Sequence, residues 1–232
     1  MEPIRAAQTQ AQVQVNQFIQ SVYNWMAIGL GLTAFFAYYV SNNKALLKVI
    51  FGTPLFWVLI VGELALVFFI SARVQKLRAS TATALFMFYA ALNGVTLSVI
   101  FLVYTRASIT STFFICAATF VACSIYGMAT KRDLTSLGGF MVMGLIGIII
   151  ATVVNIFIGS HGLHMIIGYI GVFVFIGLTA YDTQKLKNMA LTQPDGLDAG
   201  VIRKGAILGA LSLYLDFINL FLMLLRILGN RD

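Results

Sequence analysis

The chain has 232 residues, of which 60% are hydrophobic and only 10% are charged, whereas an average soluble domain is about 45–50% apolar and about 25% charged. This composition excludes an ordinary soluble enzyme and is typical of a polytopic membrane protein. The formal net charge of +7 does not indicate nucleic-acid binding, because the basic residues lie at the ends of apolar segments, as they do on the cytoplasmic flanks of membrane helices.

Apolar segments of spanning length follow one another along the chain. A transmembrane helix needs about 20 predominantly apolar residues. The sequence therefore predicts an all-α fold with seven spans, at about residues 23–40, 55–72, 80–104, 108–128, 137–158, 163–182 and 205–229. These spans form a predicted transmembrane domain over residues 23–232, which leaves no room for a soluble catalytic domain, and we expect no enzymatic activity.

Residues 1–22 are predicted to form a polar N-terminal tail. This segment is rich in glutamine and lacks the apolar core of a cleavable signal peptide. We expect it to be flexible or to lie on the membrane surface.

The distribution of lysine and arginine predicts the orientation in the membrane. With seven spans, ten basic residues fall on the side of the N-terminus and five on the other side. Because the cytoplasmic side carries the excess of Lys and Arg, the N-terminus is predicted to be cytoplasmic. The C-terminus then faces the opposite side, unless the last segment is re-entrant.

The last segment carries an acid within an otherwise apolar run. Small and polar residues recur there at spacings of four, three, four and three, at Gly205, Gly209, Ser212, Asp216 and Asn219. At 100° per residue they fall within about 80° of arc. Because helices in lipid associate through small and polar residues, we expect this helix to be central and Asp216 to face protein or water.

Asp182 ends the sixth predicted segment, so two spans each carry one acid. An acid at the centre of a span costs roughly 2.5–3.5 kcal/mol on insertion scales, and such acids are partnered or functional. Two close carboxyl groups share a proton because they cannot both ionise cheaply in a low dielectric. Loss of that proton makes them repel, and the ionised pair is a hard oxygen site suited to Ca²⁺. The pair predicts a pH-gated cation path, although proton or substrate coupling would follow nearly as well.

Glu63 is a third acid, within the second segment. It could join the pair, bond to a neighbouring helix as a protonated acid, or face a cavity. Asn93, Thr96 and Ser98 of the third segment are interpreted as helix–helix hydrogen-bonding residues. Arg73 marks the border of the second segment and could also reach back toward the two aspartates, since long basic side chains snorkel in either direction.

Three segments resemble the Bax inhibitor-1 family, also called the transmembrane Bax inhibitor motif family. They are Gly177–Leu186 (GLTAYDTQKL), Leu211–Phe221 (LSLYLDFINLF) and Thr130–Leu134 (TKRDL). The resemblance covers about residues 20–230 and is closest to the bacterial inner-membrane branch. It implies seven helices with the last one central, and a pH-sensitive Ca²⁺ leak governed by a di-aspartyl pair that falls on Asp182 and Asp216. In some members an arginine near the end of the second helix pairs with these acids, and Arg73 is the nearest candidate here.

The expected ligands and partners follow from these interpretations. No bound cofactor is expected; Ca²⁺ would be the permeant ion, with Asp182 and Asp216 as transient ligands. The lipid bilayer is the principal partner, nucleic acid is not one, and the chain is expected to be a monomer or a weak oligomer. Since bacterial relatives have been linked to membrane protease machinery, the alternative function is a regulatory protein of that machinery or of stress responses, without transport.

Two other classes fit the residues less well. Tyr181 and Asp182 match half of the intramembrane aspartyl protease pattern, but bulky residues precede Asp216 where that pattern needs glycines. A secondary transporter would show paired broken helices in two repeats, and the sequence contains no convincing repeat.

Overall fold

The computed structural model of the chain describes residues 2–194 and 197–230. Nearly all of this part is helical, which confirms the all-α fold. The helices are α1 (Glu2–Ser41), α2 (Lys44–Phe51), α3 (Leu55–Arg73), a 3₁₀ turn (Val74–Lys76), α4 (Ala79–Leu97), α5 (Ile100–Val103), α6 (Arg106–Ala129), α7 (Thr135–Ile158), α8 (His161–Leu191) and α9 (Ala199–Leu228).

Six helical stretches among these residues are long and apolar enough to cross a membrane. They are Leu55–Lys76, Ala79–Val103, Arg106–Ala129, Thr135–Ile158, His161–Leu191 and Ala199–Leu228. They correspond to six of the predicted spans and identify a polytopic membrane protein. The first predicted span, residues 23–40, lies within α1 and is not among the six. Its tyrosines, tryptophan and glycines reduce its mean hydropathy relative to the other segments.

Two helices extend beyond the predicted segments. The sixth segment was expected to end at Asp182, but α8 continues to Leu191, so this acid lies inside a helix rather than at its end. Residues 183–191 contain lysine, leucine, methionine and alanine without glycine or proline, a composition that favours helix. Similarly, α1 begins at Glu2, and the predicted boundary between tail and domain falls inside it.

The described chain divides into two compact units. Unit 1 comprises Met1–Val103 and Met189–Tyr214, and unit 2 comprises Tyr104–Asn188 and Leu215–Asp232. Helix α9 contributes to both units. It is also the most buried of the six stretches, with 72% of its most apolar window inside the protein.

In unit 1, α1 packs closely on α4. A Cβ added at Gly94 would collide with the backbone carbonyl oxygen of Thr33 and lie 2.9 Å from the Cβ of Phe36, so only glycine permits this approach. Phe86 and Val22 are fully buried in the same core.

In unit 2, α6 packs on both α8 and α9. The ring of Phe217 on α9 lies 5.7 Å from that of Phe113 and 5.4 Å from that of Phe120, measured between centroids. On the α8 side, a Cβ at Gly127 would collide with the carbonyl oxygen of Ala180. Helix α6 therefore contacts the segments of both α8 and α9 that carry the acids.

Candidate functional site: a carboxyl pair on α8 and α9

Asp216 lies within α9 and is buried, with 6% of its surface exposed. Its Oδ2 atom has no hydrogen-bond partner among the described residues. A buried polar atom without a partner is unfavourable by about 1–3 kcal/mol, and more when it is charged. The position of Asp216 therefore needs an explanation other than packing.

Asp182 lies on α8, which packs antiparallel to α9 within unit 2. A Cβ at Gly168 would lie 3.2 Å from Ile227, and a Cβ at Gly171 would lie 2.7 Å from Met223. A later residue of α8 therefore faces an earlier residue of α9, as expected of antiparallel helices. The two carboxyl groups lie close enough for the charge of Asp182 to act on Asp216.

The segment of α8 that carries Asp182 is fastened to its neighbours. The Gln184 side chain accepts a hydrogen bond from the Leu134 backbone N–H at 2.8 Å and donates one to the Arg132 carbonyl oxygen at 2.8 Å. Lys187 donates to the Met128 carbonyl oxygen at 2.6 Å. These bonds hold α8 to the end of α6 and to the turn before α7, on the residues that follow Asp182.

Two buried hydroxyl groups belong to the same region and were missed by sequence reasoning. Ser124 is 6% exposed and Thr183 is 0% exposed, and neither hydroxyl oxygen has a hydrogen-bond partner among the described residues. Ser124 lies one helical turn from Phe120, which contacts Phe217, and nearly one turn from Gly127, which faces Thr183. The face of α6 that carries Ser124 therefore lies against the parts of α8 and α9 next to the two acids.

The auxiliary candidates, Glu63 and Arg73, lie in unit 1. Glu63 is buried and accepts hydrogen bonds from Thr96 at 2.9 Å and Asn93 at 3.4 Å, which confirms the helix–helix role predicted for those two residues. The same prediction was wrong for Ser98, the residue after α4, whose hydroxyl donates to the Val95 carbonyl oxygen of that helix at 2.7 Å. Such a bond to the preceding turn is a common alternative for serine in helices.

Arg73 is exposed at the end of α3. The charged group that acts on Asp182 from its own helix is Lys185, three residues later. Pairing of Arg73 with the aspartates stays a prediction.

Asp133, in the third motif, has a local structural role outside the spans. Its Oδ1 atom accepts hydrogen bonds from the Thr135 hydroxyl at 2.6 Å and from the Thr135 backbone N–H at 2.9 Å. These bonds favour the ionised carboxylate and hold the pKa of Asp133 below its usual value. The residue is exposed, and it shapes the turn that leads into α7.

The oxygen atoms of the pair are suited to protons or hard cations rather than to a permanent transition-metal centre. Among residues 2–194 and 197–230, no three of His, Cys, Asp and Glu come together as a metal-binding group. Carboxylate and hydroxyl oxygens are the ligands that Ca²⁺ takes in proteins. The fold and this site define a polytopic helical membrane protein with an acid on each of two packed helices.

The comparisons with known proteins identify the family. A family model described as "Inhibitor of apoptosis-promoting Bax1" matches residues 15–232, and the chain belongs to this Bax inhibitor-1 family. It is 54% identical to the inner membrane protein YbhL of Escherichia coli K12, over 96% of this chain and 95% of that protein.

More distant relatives match over most of their length as well. An uncharacterized protein of Borreliella burgdorferi is 47% identical, over 93% of each chain. An uncharacterized membrane protein of Streptococcus pyogenes is 39% identical, over 97% of each chain. The apolar helices together with the likeness to an inner membrane protein identify the chain as a multi-pass protein of the inner membrane.

Proposed function

We propose that the protein is a pH-sensitive leak for Ca²⁺ or related cations, gated by Asp182 and Asp216. The observation that carries this proposal is the buried Asp216 carboxyl group, whose Oδ2 atom has no hydrogen-bond partner among the described residues. Ionisable residues inside membrane segments are generally found where they serve ion or proton pathways.

The gating follows from how two close carboxyl groups bind protons. When they share one proton, the hydrogen bond between them ties α8 to α9. When the proton leaves, the two negative charges repel each other. Because Gln184 and Lys187 fasten α8 to backbone carbonyl and N–H groups of its neighbours, we expect the separation to occur as a movement of α9 away from α8.

The ionised pair would attract a cation. Asp182 and Asp216 would supply carboxylate oxygens, and the unpartnered hydroxyl groups of Ser124 and Thr183 would supply neutral oxygen ligands. Ca²⁺ takes six to eight such ligands in flexible geometries, with water completing the set. This chemistry supports transient binding during permeation rather than a permanent site.

We also propose that α1 supplies a seventh span, with the N-terminus in the cytoplasm and α9 as the central helix. In the second half of α1, Phe35, Tyr38 and Tyr39 are 61%, 55% and 55% exposed, and tyrosine is enriched where helices meet the membrane–water interface. The excess of Lys and Arg on the N-terminal side supports the orientation, and the 72% burial of α9 supports its central position.

The leak is tested by Ca²⁺ flux into liposomes that contain the purified protein, between about pH 5 and 8, the range of physiological pH switches. Flux through the wild type should depend on pH. Asp182→Asn and Asp216→Asn should each flatten that dependence, because asparagine keeps the size of the side chain but cannot ionise. The double variant should behave like either single variant, since residues that act as a unit are non-additive.

Asp133→Asn is the matched control, because it makes the same chemical change at an exposed acid of the same unit. It should keep the wild-type pH profile. A full pH response in both single variants would show that the aspartates are structural. Absence of flux in the wild type at every pH would refute the leak and favour the regulatory alternative.

A further inference from the structure

The buried acid of unit 1, Glu63, lies in a separate polar cluster. Helix α3 exposes most of its surface, and its buried residues are Glu63 and Ile70. The Thr96 hydroxyl donates to Oε1 of Glu63 at 2.9 Å, and the Asn93 amide nitrogen donates to Oε2 at 3.4 Å. Both partners belong to α4, so the hydrogen bonds of this acid join α3 to α4.

The Thr96 hydroxyl has two acceptors for one hydrogen atom. Besides Oε1 of Glu63 at 2.9 Å, the carbonyl oxygen of Asn93 lies 3.0 Å from the Thr96 hydroxyl oxygen. A hydroxyl group donates one hydrogen bond and accepts up to two. Rotation about the C–O bond of Thr96 therefore chooses which acceptor is used, and no backbone movement is needed.

We propose that Glu63 is a second proton-binding site, with Thr96 as the hydroxyl switch that accommodates both of its protonation states. In the ionised state, Thr96 donates to Oε1 and Asn93 donates to Oε2. In the protonated state, Oε1–H donates to the Thr96 oxygen, Thr96 donates to the Asn93 carbonyl oxygen, and the Asn93 amide bond to Oε2 is kept. Every polar hydrogen of these three groups has an acceptor in both states, and one proton enters or leaves.

The surroundings favour a proton over a metal cation at this position. The Asn93 amide nitrogen donates one hydrogen bond to Oε2 of Glu63 and a second to the Tyr89 hydroxyl oxygen, each at 3.4 Å. A cation at the carboxylate would face these positive N–H ends. The Asn93 amide oxygen, a further ligand candidate, is occupied by the Tyr214 hydroxyl at 3.3 Å.

The other ionisable groups near Glu63 are phenols. Tyr89 of α4 and Tyr214 of α9 are the titratable side chains whose charges would interact with it. The cationic residues of the elements packed against α3 are Lys44 and Lys48 of α2 and Lys76 of the 3₁₀ turn, and all three are exposed. None of these three lysines is buried beside the Glu63 carboxyl group. The hydrogen bonds from Thr96 and Asn93 therefore stabilise the ionised carboxylate.

Infrared difference spectroscopy of the full chain in lipid nanodiscs tests the proposal, since the carbonyl stretch of a protonated carboxyl group disappears on ionisation. The pH titration is carried out in an Asp182→Asn/Asp216→Asn background and repeated in the wild type. Glu63→Gln should remove one titrating band in both. Thr96→Val should move the Glu63 midpoint toward higher pH by about one unit, a tenfold change in proton affinity, because the ionised state loses a charge-assisted hydrogen bond.

Two further variants distinguish the switch from general packing effects. Thr96→Ser restores a hydroxyl and should restore the midpoint. Thr83→Val removes another buried α4 hydroxyl, which donates to the Ala79 carbonyl oxygen, and should leave the midpoint unchanged. Identical titrations with and without Glu63→Gln would overturn the proton site, and an unshifted midpoint in Thr96→Val would overturn the role of Thr96. If the double aspartate background does not fold, the wild-type spectra decide both questions.

Discussion

Replacement of Gly127 by alanine should loosen the contact between α6 and α8. The added Cβ would collide with the backbone carbonyl oxygen of Ala180 and lie 3.0 Å from the Cβ of Thr183. Neither is the end of a flexible side chain, so α6 and α8 must move apart. Because residues 180 and 183 flank Asp182, this movement displaces the carboxyl group as well.

The size of the effect follows from two opposing terms. Overpacking a well-packed contact is destabilising by about 1–3 kcal/mol, whereas alanine is preferred to glycine inside a helix by about 1 kcal/mol. Gly147→Ala provides the matched control, since a Cβ at Gly147 on α7 would have no neighbour within 4 Å. The helix preference is shared by the two variants, so the difference between them isolates the contact.

The free energy of unfolding of Gly127→Ala should therefore be about 1–3 kcal/mol below that of Gly147→Ala, measured by denaturant unfolding in the same detergent. The pH profile of Ca²⁺ flux should change in Gly127→Ala and stay as in the wild type in Gly147→Ala. Equal stability of the two variants would refute the close packing of α6 on α8. Equal flux profiles with unequal stability would refute its influence on Asp182.

Two further predictions concern the hydrogen bonds of Gln184 on α8 and the membrane topology. Gln184→Met keeps the approximate shape of the side chain but leaves the Leu134 N–H and the Arg132 carbonyl oxygen without this partner. We expect the free energy of unfolding to fall by about 2–4 kcal/mol, whereas Lys131→Met, at an exposed residue, should stay within about 0.5 kcal/mol of the wild type. For the topology, tags at the two termini should be accessible from opposite sides in spheroplasts, with the N-terminal tag cytoplasmic; accessibility of both tags from one side would contradict seven full spans.

The position of the two aspartates could be recognised in the sequence because each interrupts an apolar run. A charge in such a run is unfavourable in lipid, and the small residues at helical spacing around Asp216 indicate that its face meets protein. Gly205 of this stripe does meet protein, since an added Cβ would lie 3.5 Å from Phe18 and 3.5 Å from Met189. Six of the predicted spans are apolar enough to be recognised by hydropathy in the structure as well. The first is not, because glycine and aromatic residues with polar atoms lower the mean hydropathy of α1.

Helix ends and helix partners were harder to predict. The last residues of α8 are polar enough to leave the hydrocarbon core. The apolar run therefore ends at Asp182, although the residues that favour helix continue to Leu191. For Glu63, the sequence left three roles open, since the pairing of α3 with α4 is decided by packing. The hydrogen bonds from Asn93 and Thr96 follow only once that pairing is known.

The hydroxyl groups near the aspartates illustrate what a sequence does not specify. Serine and threonine inside helices often donate to the carbonyl oxygen of the preceding turn, as Thr119 does to Ile115 and Thr179 to Phe175. Ser124 and Thr183 lie on the same two helices, yet their hydroxyl oxygens have no partner among the described residues. Residue type does not distinguish Thr119 and Thr179 from Ser124 and Thr183. The side-chain rotamer, which decides whether the hydroxyl reaches the preceding turn, depends on the atoms of the neighbouring helix. The close approach at Gly127 brings the backbone of α8 against α6 beside Thr183, so a glycine contact rather than a hydroxyl motif decides which polar groups of these two helices come together.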